Sequence, residues 1–287
     1  MNGGLLVVGG DANLSADLIR DAERRGLAAG ATSRRQRPKA IDAVSQWHHL
    51  DLRNVTPRDM RNLVGYSHAI VAAGISSISQ CERHPFATSQ VNVEGVWHLC
   101  QELSKQGTRI TILSSNQVFS RWLRAPNPRS ERRPACEYGK QKRDLENLVL
   151  ELDNCQVVRL SKVFPPKFPL IERWISEAKQ GIAIRAFTNV TVSPVTSQYA
   201  SRQILEAVFT EGSERIHHIS ASDEVAYFEL ADICMRYAGI TSRIEPIEAA
   251  NNPKEGIIIG PYARLTLNNG REVAPDTIQT LAAYFHA

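Results

Sequence analysis

The chain contains few of the residues that build disulfide frameworks and zinc sites. Its five cysteines, at positions 81, 100, 136, 155 and 234, are scattered and odd in number, and no C-x-x-C pair occurs. This usage excludes a disulfide-stapled fold and predicts no metal site. It favours a reducing compartment, so we expect a cytoplasmic protein.

Long apolar runs and strong charge of one sign are also lacking. No uninterrupted apolar stretch reaches the ~20 residues that a membrane-spanning helix needs. The N-terminus meets polar and acidic residues by position 11, which is not typical of a signal peptide. The net charge of +4 gives no indication of a nucleic-acid-binding face. We therefore expect neither nucleic-acid nor membrane partners.

Apolar strands and amphipathic helices alternate along the first half of the 287 residues. Strands are predicted at 5–8, 27–33, 68–74, 109–115 and 155–161, and helices at 13–25, 90–103 and 137–152. The pattern predicts an α/β fold with a Rossmann-like, doubly wound parallel sheet covered on both faces. Ligands of such sheets bind at the carboxyl ends of the strands.

The strand and helix pattern changes at a proline-rich stretch. Pro165, Pro166 and Pro169 predict a boundary between a dinucleotide-binding domain (1–165) and a smaller α/β substrate lobe (mainly 166–287). Helices are expected in that lobe at 169–180 and 225–239, with a strand at 215–220. We expect the chain to return to the first domain around 190–220.

Tyr138 and Lys142 carry the most informative chemistry. They are four residues apart on a predicted helix and so share a face. An ammonium close to a phenol lowers the phenol pKa, which prepares it to exchange a proton with a carbonyl or an alcohol. Ser114 and Ser115, at the end of a predicted strand, can hold the substrate oxygen. Helices also produce this spacing by chance, and the alternative is a half-buried tyrosine beside a solvated lysine.

Taken together, the motifs resemble those of the extended short-chain dehydrogenase/reductase superfamily, and most of all its sugar-nucleotide reductases of the dTDP-4-dehydrorhamnose reductase type. The resemblance covers most of residues 4–240. The matching segments are GGDANLS (9–15), LDL (50–52), VAAG (71–74), QVNVEGV (90–96), SSNQVF (114–119), YGKQK (138–142), VRLSKVF (158–164) and NVTVSPVTSQYASRQI (189–204).

The resemblance implies roles for particular side chains. Tyr138 would be the general acid, Lys142 its activator and a partner of the nicotinamide ribose, and Ser115 the group that binds the reacting oxygen, with Ser114 as the alternative. The other residues implied to contact the cofactor are Gly9, Ala12, Asn13, Leu14, Ser33, Arg34, Arg35, Asp51, Leu52, Ala72, Ala73, Gly74 and Asn92. Those implied to contact the substrate are Ser114, Asn116, Arg185, Asn189 and Ser193.

Two departures affect the expected cofactor. The phosphate-binding turn keeps its first glycine, Gly9, but has Ala12 and Ser15 in place of the second and third, and Ala12 adds a methyl group where backbone approaches a pyrophosphate. No acid follows the second strand, where Ser33, Arg34 and Arg35 suit a 2′-phosphate. The expected cofactor is therefore NADP(H) rather than NAD(H).

The resulting hypothesis is an NADPH-dependent oxidoreductase that reduces a nucleotide-linked 4-keto (deoxy)sugar in carbohydrate biosynthesis, with Tyr138 as proton donor. Asn116 and Gln117 stand where sugar-nucleotide dehydratases have an Asp-Glu pair, which disfavours dehydration. One alternative is a catalytically impaired NADP-binding protein that acts by binding a partner, like the regulatory subunit of methionine adenosyltransferase. A sugar-nucleotide epimerase is a second alternative, and a redox-sensing transcriptional regulator has less support. A homodimer is left open.

Overall fold

The computed structural model describes residues 3–36, 46–210, 212, 214–257, 264–266 and 274–286. The first half contains β1 (Gly4–Val8), α1 (Ser15–Arg24), β2 (Ala29–Ser33), β3 (Gln46–His49), α2 (Pro57–Asn62), β4 (Tyr66–Val71), α3 (Ile78–Arg83), α4 (Pro85–Ser89), α5 (Val96–Lys105), β5 (Arg109–Ser115), α6 (Glu137–Val149) and β6 (Cys155–Leu160). A π-helical turn (Gln90–Gly95) leads into α5, and a 3₁₀ turn (Asn116–Val118) follows β5. The helix predicted at 90–103 therefore exists as two consecutive segments.

The second half adds short strands and longer helices. They are β7 (Lys162–Phe164), α7 (Pro169–Lys179), β8 (Ile184–Phe187), β9 (Thr191–Val192), β10 (Pro194–Thr196), α8 (Ser197–Phe209), β11 (Ile216–Ile219), β12 (Val225–Ala226), α9 (Tyr227–Ala238), β13 (Ile244–Ile247) and α10 (Thr277–Phe285). Sequence periodicity alone did not reveal β3, α8 or α10.

Seven strands form one central sheet in the order β11-β6-β5-β4-β1-β2-β3, and all of its neighbouring pairs are parallel. This confirms the predicted Rossmann-like, doubly wound sheet. The strand order reverses at β1, which lies between β2 and β4, so a crevice opens at the carboxyl ends of β1 and β4. Backbone N–H groups of Ala72 and Ala73 donate to the Val8 carbonyl there, at 2.9 and 2.8 Å.

Each face of the sheet has its own apolar core. On one face α1 and α8 bury residues such as Leu18 and Ile204, and on the other α2, α5 and α6 bury residues such as Leu99 and Leu145. The interior strands are apolar on both sides because both faces are covered. α8 also carries hydroxyls that satisfy buried carboxylates on α1, since Ser201 Oγ donates to Asp21 at 2.7 Å.

The residues after β6 build a second apolar core and then contribute again to the sheet. Phe164, Trp174, Ile184 and Leu230 belong to this core, in which α7, α9 and α10 pack around the parallel pair β8 and β13. Residues 216–219 lie at the edge of the central sheet as β11, beside β6.

The described ranges contain neither a membrane-spanning helix nor a metal-binding cluster. None of the helices there is long and apolar enough to cross a membrane. Within the same ranges, no group of three or more His, Cys, Asp or Glu side chains is arranged to hold a metal ion.

Candidate active site

A cleft runs along the carboxyl ends of the central strands. It consists of a larger cavity of about 460 Å³ and a smaller one of about 210 Å³. Ala12, Ala72, Ala73 and Gly74 line both cavities, so the two are adjoining parts of one cleft. Their size and position at the reversal of strand order are typical of a small-molecule site.

The turn after β1 is built around one obligatory glycine and one serine. Gly9 has φ +88°, and a Cβ there would lie 2.7 Å from the Ala73 backbone, so no larger residue fits. Ser15, in the third-glycine position, donates its hydroxyl to the Gly9 carbonyl at 2.7 Å. The serine therefore closes the turn with a hydrogen bond where the family pattern has no side chain.

The start of α1 is suited to bind a phosphate. The helix begins at Ser15 with no side-chain cap, and the Ser15 N–H bonds the Ala12 carbonyl at 2.9 Å, so the positive dipole end of the helix faces the cleft without a competing side chain. Asn13 and Leu14 line the larger cavity, and Ala12 lies where the two cavities meet. A dinucleotide fits these residues, with the Ala12 methyl group as the one addition to the usual backbone surface.

The smaller cavity collects the residues predicted to bind the adenosine end of a cofactor. Ser33, Arg34 and Arg35 come from the end of β2, and Asp51 and Leu52 follow β3. Asp51 forms an ion pair with Arg53 at 2.6 Å, and hydrogen bonding by Arg53 lowers the pKa of Asp51 to about 2.

An acid that the sequence analysis missed also lies in this cavity. Asp11, in the turn after β1, accepts a 2.7 Å hydrogen bond from the Ser33 hydroxyl and lies 3.6 Å from Arg35 Nη1. No acid follows β2 in the chain, but β1 and β2 are neighbours, so the turn after β1 supplies one. The adjacency of the first two strands of a βαβ unit was the available signal.

Tyr138 and Ser115 meet at the wall of the larger cavity. Both residues line the cavity, and Ser115 acts to lower the Tyr138 pKa, so the two hydroxyls lie near each other. The Ser115 hydroxyl donates to Asn116 Oδ1 at 3.2 Å. α6 packs closely on the 3₁₀ turn, because a Cβ at Gly139 would lie only 2.1 Å from the Gln117 carbonyl oxygen. The glycine after Tyr138 thus allows the close approach that brings the tyrosine to the serine.

Lys142 lies one helical turn after Tyr138, as the spacing predicted. Its ammonium donates to the Leu113 carbonyl at 2.9 Å and lies 5.9 Å from the centre of the Tyr138 ring. Burial lowers the pKa of Lys142 to about 8, although Glu146 and Cys81 act in the opposite direction. The lysine is therefore a cation at neutral pH that titrates within reach of physiological conditions.

The tyrosine pKa differs from the expectation. Lysine proximity predicted a lowered value, but burial raises the pKa of Tyr138, the nearby Cys81 and Cys136 thiols add to the rise, and only the bond with Ser115 opposes it. The physical reason is that desolvation of the phenolate outweighs an ammonium that is bonded elsewhere. Tyr138 is therefore protonated at neutral pH, as a proton donor must be.

Beneath the cleft lies a buried charge cluster that the sequence analysis missed. Glu146 is fully buried and accepts hydrogen bonds from Ser114 Oγ at 2.5 Å, Arg132 at 2.9 Å and Arg159 at 2.7 Å. Arg159 also contacts His218, whose pKa burial and this guanidinium lower to about 4. The position of Glu146, one turn after Lys142 on the same helix face, was the only sequence signal.

This cluster also engages Ser114, the alternative to Ser115 as the group that binds the reacting oxygen. Ser114 lines the larger cavity, but its hydroxyl donates to the buried Glu146, whereas Ser115 acts on the Tyr138 pKa. Adjacent residues of a strand point to opposite sides, which is why the two hydroxyls have different partners.

Asn92 is also assigned a different role by its contacts. It is buried and lines neither cavity. Its amide oxygen accepts from the Ile75 N–H at 2.7 Å, and its amide nitrogen donates to the Ile75 carbonyl at 3.0 Å and to Gln141 at 2.9 Å. Asn92 therefore holds the loop after β4 by bonding the Ile75 backbone.

The expected substrate residues divide into two groups. Asn116 is buried at the cavity wall beside Ser115. Arg185 is exposed on β8 and Asn189 pairs with the Ala249 backbone at 2.9 Å through both ends of its amide, and neither lines the cleft. Ser193 lies in the wall, but it is fully buried and its hydroxyl donates to the Asp223 carbonyl at 2.6 Å. We do not retain Arg185, Asn189 or Ser193 as substrate ligands.

Comparison with solved structures gives close matches to the fold at low sequence identity. dTDP-4-dehydrorhamnose reductase from Bacillus anthracis, in complex with NADP, has a TM-score of 0.85 at 18% identity, covering 100% of this chain and 98% of that one. UDP-glucose 4-epimerase from Thermotoga maritima, with UDP-glucose, has a TM-score of 0.78 at 14% identity, covering 99% and 98%. WbmG from Bordetella bronchiseptica, in complex with NAD and UDP, has a TM-score of 0.77 at 16% identity, covering 99% and 95%.

One of these neighbours is in complex with NADP, another with NAD and UDP, and a third with UDP-glucose, so the likeness establishes the fold and leaves cofactor and substrate open. A search among curated proteins finds no match. The RmlD substrate binding domain family matches residues 1–266, nearly the whole chain. The predicted resemblance to extended short-chain dehydrogenase/reductases of the sugar-nucleotide type is confirmed. This chain belongs to the RmlD substrate binding domain family.

Proposed function

We propose that this protein reduces the 4-keto group of a nucleotide-linked (deoxy)sugar with NADPH and that Tyr138 donates the proton. The observation that carries the proposal is that Tyr138, Ser115 and Lys142 line one cavity that adjoins the glycine turn, with the Lys142 ammonium 5.9 Å from the centre of the tyrosine ring. These three side chains are the set that carbonyl reduction requires of the protein.

The chain's own residues account for orientation and proton transfer. A bound nicotinamide supplies the hydride that adds to the sugar carbonyl carbon. Ser115 donates a hydrogen bond to the carbonyl oxygen and orients it toward Tyr138. The Tyr138 proton moves to that oxygen as its negative charge develops, which completes the new hydroxyl group. The Lys142 ammonium then stabilises the phenolate until solvent reprotonates it.

The cofactor would lie across both cavities. The turn at Gly9 and the start of α1 would hold the pyrophosphate, and Lys142 would bond the nicotinamide ribose. Ser33, Arg34 and Arg35 in the smaller cavity support NADPH, because a 2′-phosphate offers oxygens that arginine can bind in a forked arrangement. Asp11 opposes this choice, since its carboxylate engages Ser33 and Arg35.

The experiment that tests the proposal separates binding from turnover. Binding of NADPH and NADH to the full chain is measured by nucleotide fluorescence, and turnover by loss of NADPH absorbance with 4-keto deoxysugars linked to dTDP or UDP. We expect NADPH to bind more tightly than NADH and at least one keto sugar to be reduced. Binding of neither nucleotide would contradict the proposal. Tight NADPH binding without turnover would instead favour the partner-binding alternative, for which the Ala12 methyl group at the junction of the cavities is the supporting feature.

A further inference from the structure

The larger cavity has an unusual distribution of charge. Among its described lining residues there are two lysines, Lys142 and Lys162, and no aspartate or glutamate. The ammonium of Lys142 is already bonded to the Leu113 carbonyl and lies beside Tyr138. Lys162 is therefore the one cation in the described lining that is left for a ligand.

Lys162 lies where a ligand of the cleft can reach it. It is the first residue of β7, two positions after the end of β6, and its side chain is exposed to solvent within the cavity wall. Ser161 fixes the preceding backbone by donating to the Ser193 carbonyl at 2.6 Å. Within the described ranges, no carboxylate lies within ion-pair distance of the Lys162 ammonium, whereas Lys105 and Lys140 each pair with a glutamate.

An aromatic surface holds the lysine in place. Its ammonium lies 5.3 Å from the centre of the Phe168 ring, which stacks on Phe164 at 4.6 Å. The Phe168 backbone N–H donates to the Tyr284 hydroxyl at 2.8 Å. Lys162 keeps exposed surface in the cleft, but the protein around it partly desolvates the ammonium, which lowers its pKa. An ammonium that lies over a fixed ring and has no acidic partner binds an anion more strongly than a fully hydrated ammonium does.

We propose that Lys162 binds an anionic group of the sugar-nucleotide substrate, either its diphosphate or a carboxylate carried by the sugar. The identity of the ligand as a sugar nucleotide rests on the proposed function. The existence of an anion site rests only on the residues of the cavity. Lys162 then selects anionic substrates for a cleft that otherwise presents hydroxyls, amides and apolar side chains.

The anion site is tested first without any sugar nucleotide. Lysines of the full chain are reductively methylated with ¹³C, the Lys162 signal is assigned by its loss in Lys162→Arg, and inorganic pyrophosphate is titrated. We expect the Lys162 signal to shift and its titration to move to higher pH, while the exposed Lys179 on α7 stays unchanged. A Lys162 signal that pyrophosphate leaves unmoved would overturn the proposal.

Calorimetry then identifies the group that is bound. UDP-glucose, UDP-glucuronic acid and uridine are titrated into the NADP-saturated wild type, Lys162→Gln and, as control, Lys179→Gln. Loss of about tenfold or more in affinity for both UDP sugars assigns the lysine to the diphosphate, and a loss confined to UDP-glucuronic acid assigns it to the sugar carboxylate. Equal affinities in wild type and Lys162→Gln would overturn the proposal. If pyrophosphate shifts the Lys162 signal but no UDP compound and no dTDP counterpart binds, the anion site is supported and the proposed sugar-nucleotide function is refuted.

Discussion

The carboxylate of Asp11 accepts a hydrogen bond from the hydroxyl of Ser33 at 2.7 Å, across the gap between the ends of β1 and β2. In the proposed binding mode, this contact would place a negative charge beside the ribose 2′-position, which distinguishes the two nicotinamide cofactors. A ribose 2′-hydroxyl can donate to such a carboxylate, whereas a 2′-phosphate is repelled by it and competes with it for Ser33 and Arg35.

Removing this charge is expected to increase the preference for NADPH. In Asp11→Asn, the ratio of NADPH to NADH affinity should rise about tenfold, which corresponds to ~1.4 kcal/mol. Fluorescence titrations of both nucleotides measure the ratio, and Glu23→Gln, an exposed change on α1, should leave it unaltered. An unchanged ratio in Asp11→Asn would show that the carboxylate does not sense the 2′-position.

Replacing Tyr138 with phenylalanine tests the proton donor. Turnover should fall by about 10² to 10⁴, the usual contribution of a positioned general acid, while NADPH binding is retained. Tyr237→Phe removes a hydroxyl that bonds the Ile278 carbonyl away from the cleft and serves as the control. Tyr138→Phe with wild-type kcat would refute the assignment.

The ionisation of Lys142 predicts a pH dependence. Its pKa is lowered to about 8, so the ammonium is present below that pH and is lost as the pH rises through it. kcat/KM should therefore fall on the basic side with a midpoint near 8, measured between about pH 6 and pH 10. Lys142→Arg keeps its charge at all these values and should lose this limb. If the limb persists in the arginine variant, another group is responsible.

The Ala12 methyl group is expected to weaken cofactor binding. Ala12→Gly restores backbone access at the junction of the cavities and should tighten NADPH binding about threefold to tenfold, or ~1 kcal/mol. Ala16→Gly, a few residues later on α1, makes the same chemical change outside the cleft lining. Weaker binding in Ala12→Gly than in wild type would mean that the alanine shapes the turn favourably.

The Glu146 cluster should contribute strongly to stability. Glu146→Gln leaves the buried Arg159 without its counter-charge and should cost about 3–5 kcal/mol in the free energy of unfolding. Glu102→Gln breaks an exposed pair with Lys105 and should cost no more than about 1 kcal/mol. Urea unfolding followed by circular dichroism compares the two. Equal midpoints would show that the buried pair contributes no more than the surface pair.

Features that depend on neighbouring positions were predictable from the sequence. The i, i+4 spacing placed Tyr138 and Lys142 on one face of α6, and β5 was predicted with the observed bounds. Features that depend on contacts between distant segments were not. Asp11 meets Ser33 across 22 positions, Ser114 meets Glu146 across 32, and Asn189 pairs with Ala249 across 60. Arg185 and Asn189 entered the predicted site by resemblance. The pairing of β8 with β13 holds Arg185, and the Ala249 backbone holds Asn189, and neither residue lines the cleft.

The sequence by itself determined the alternation of elements, and hence the parallel sheet and the edge at which ligands bind, because side-chain periodicity fixes which face of each element is apolar. It also determined the Tyr138–Lys142 pair. Only the tertiary structure decided that the Ser114 hydroxyl bonds the buried Glu146, and that an acid from the first turn lies beside Ser33 and Arg35 of the second. It also decided that Tyr138 is held protonated. These outcomes depend on packing between remote segments and on desolvation, and both are properties of the folded chain that local spacing does not encode.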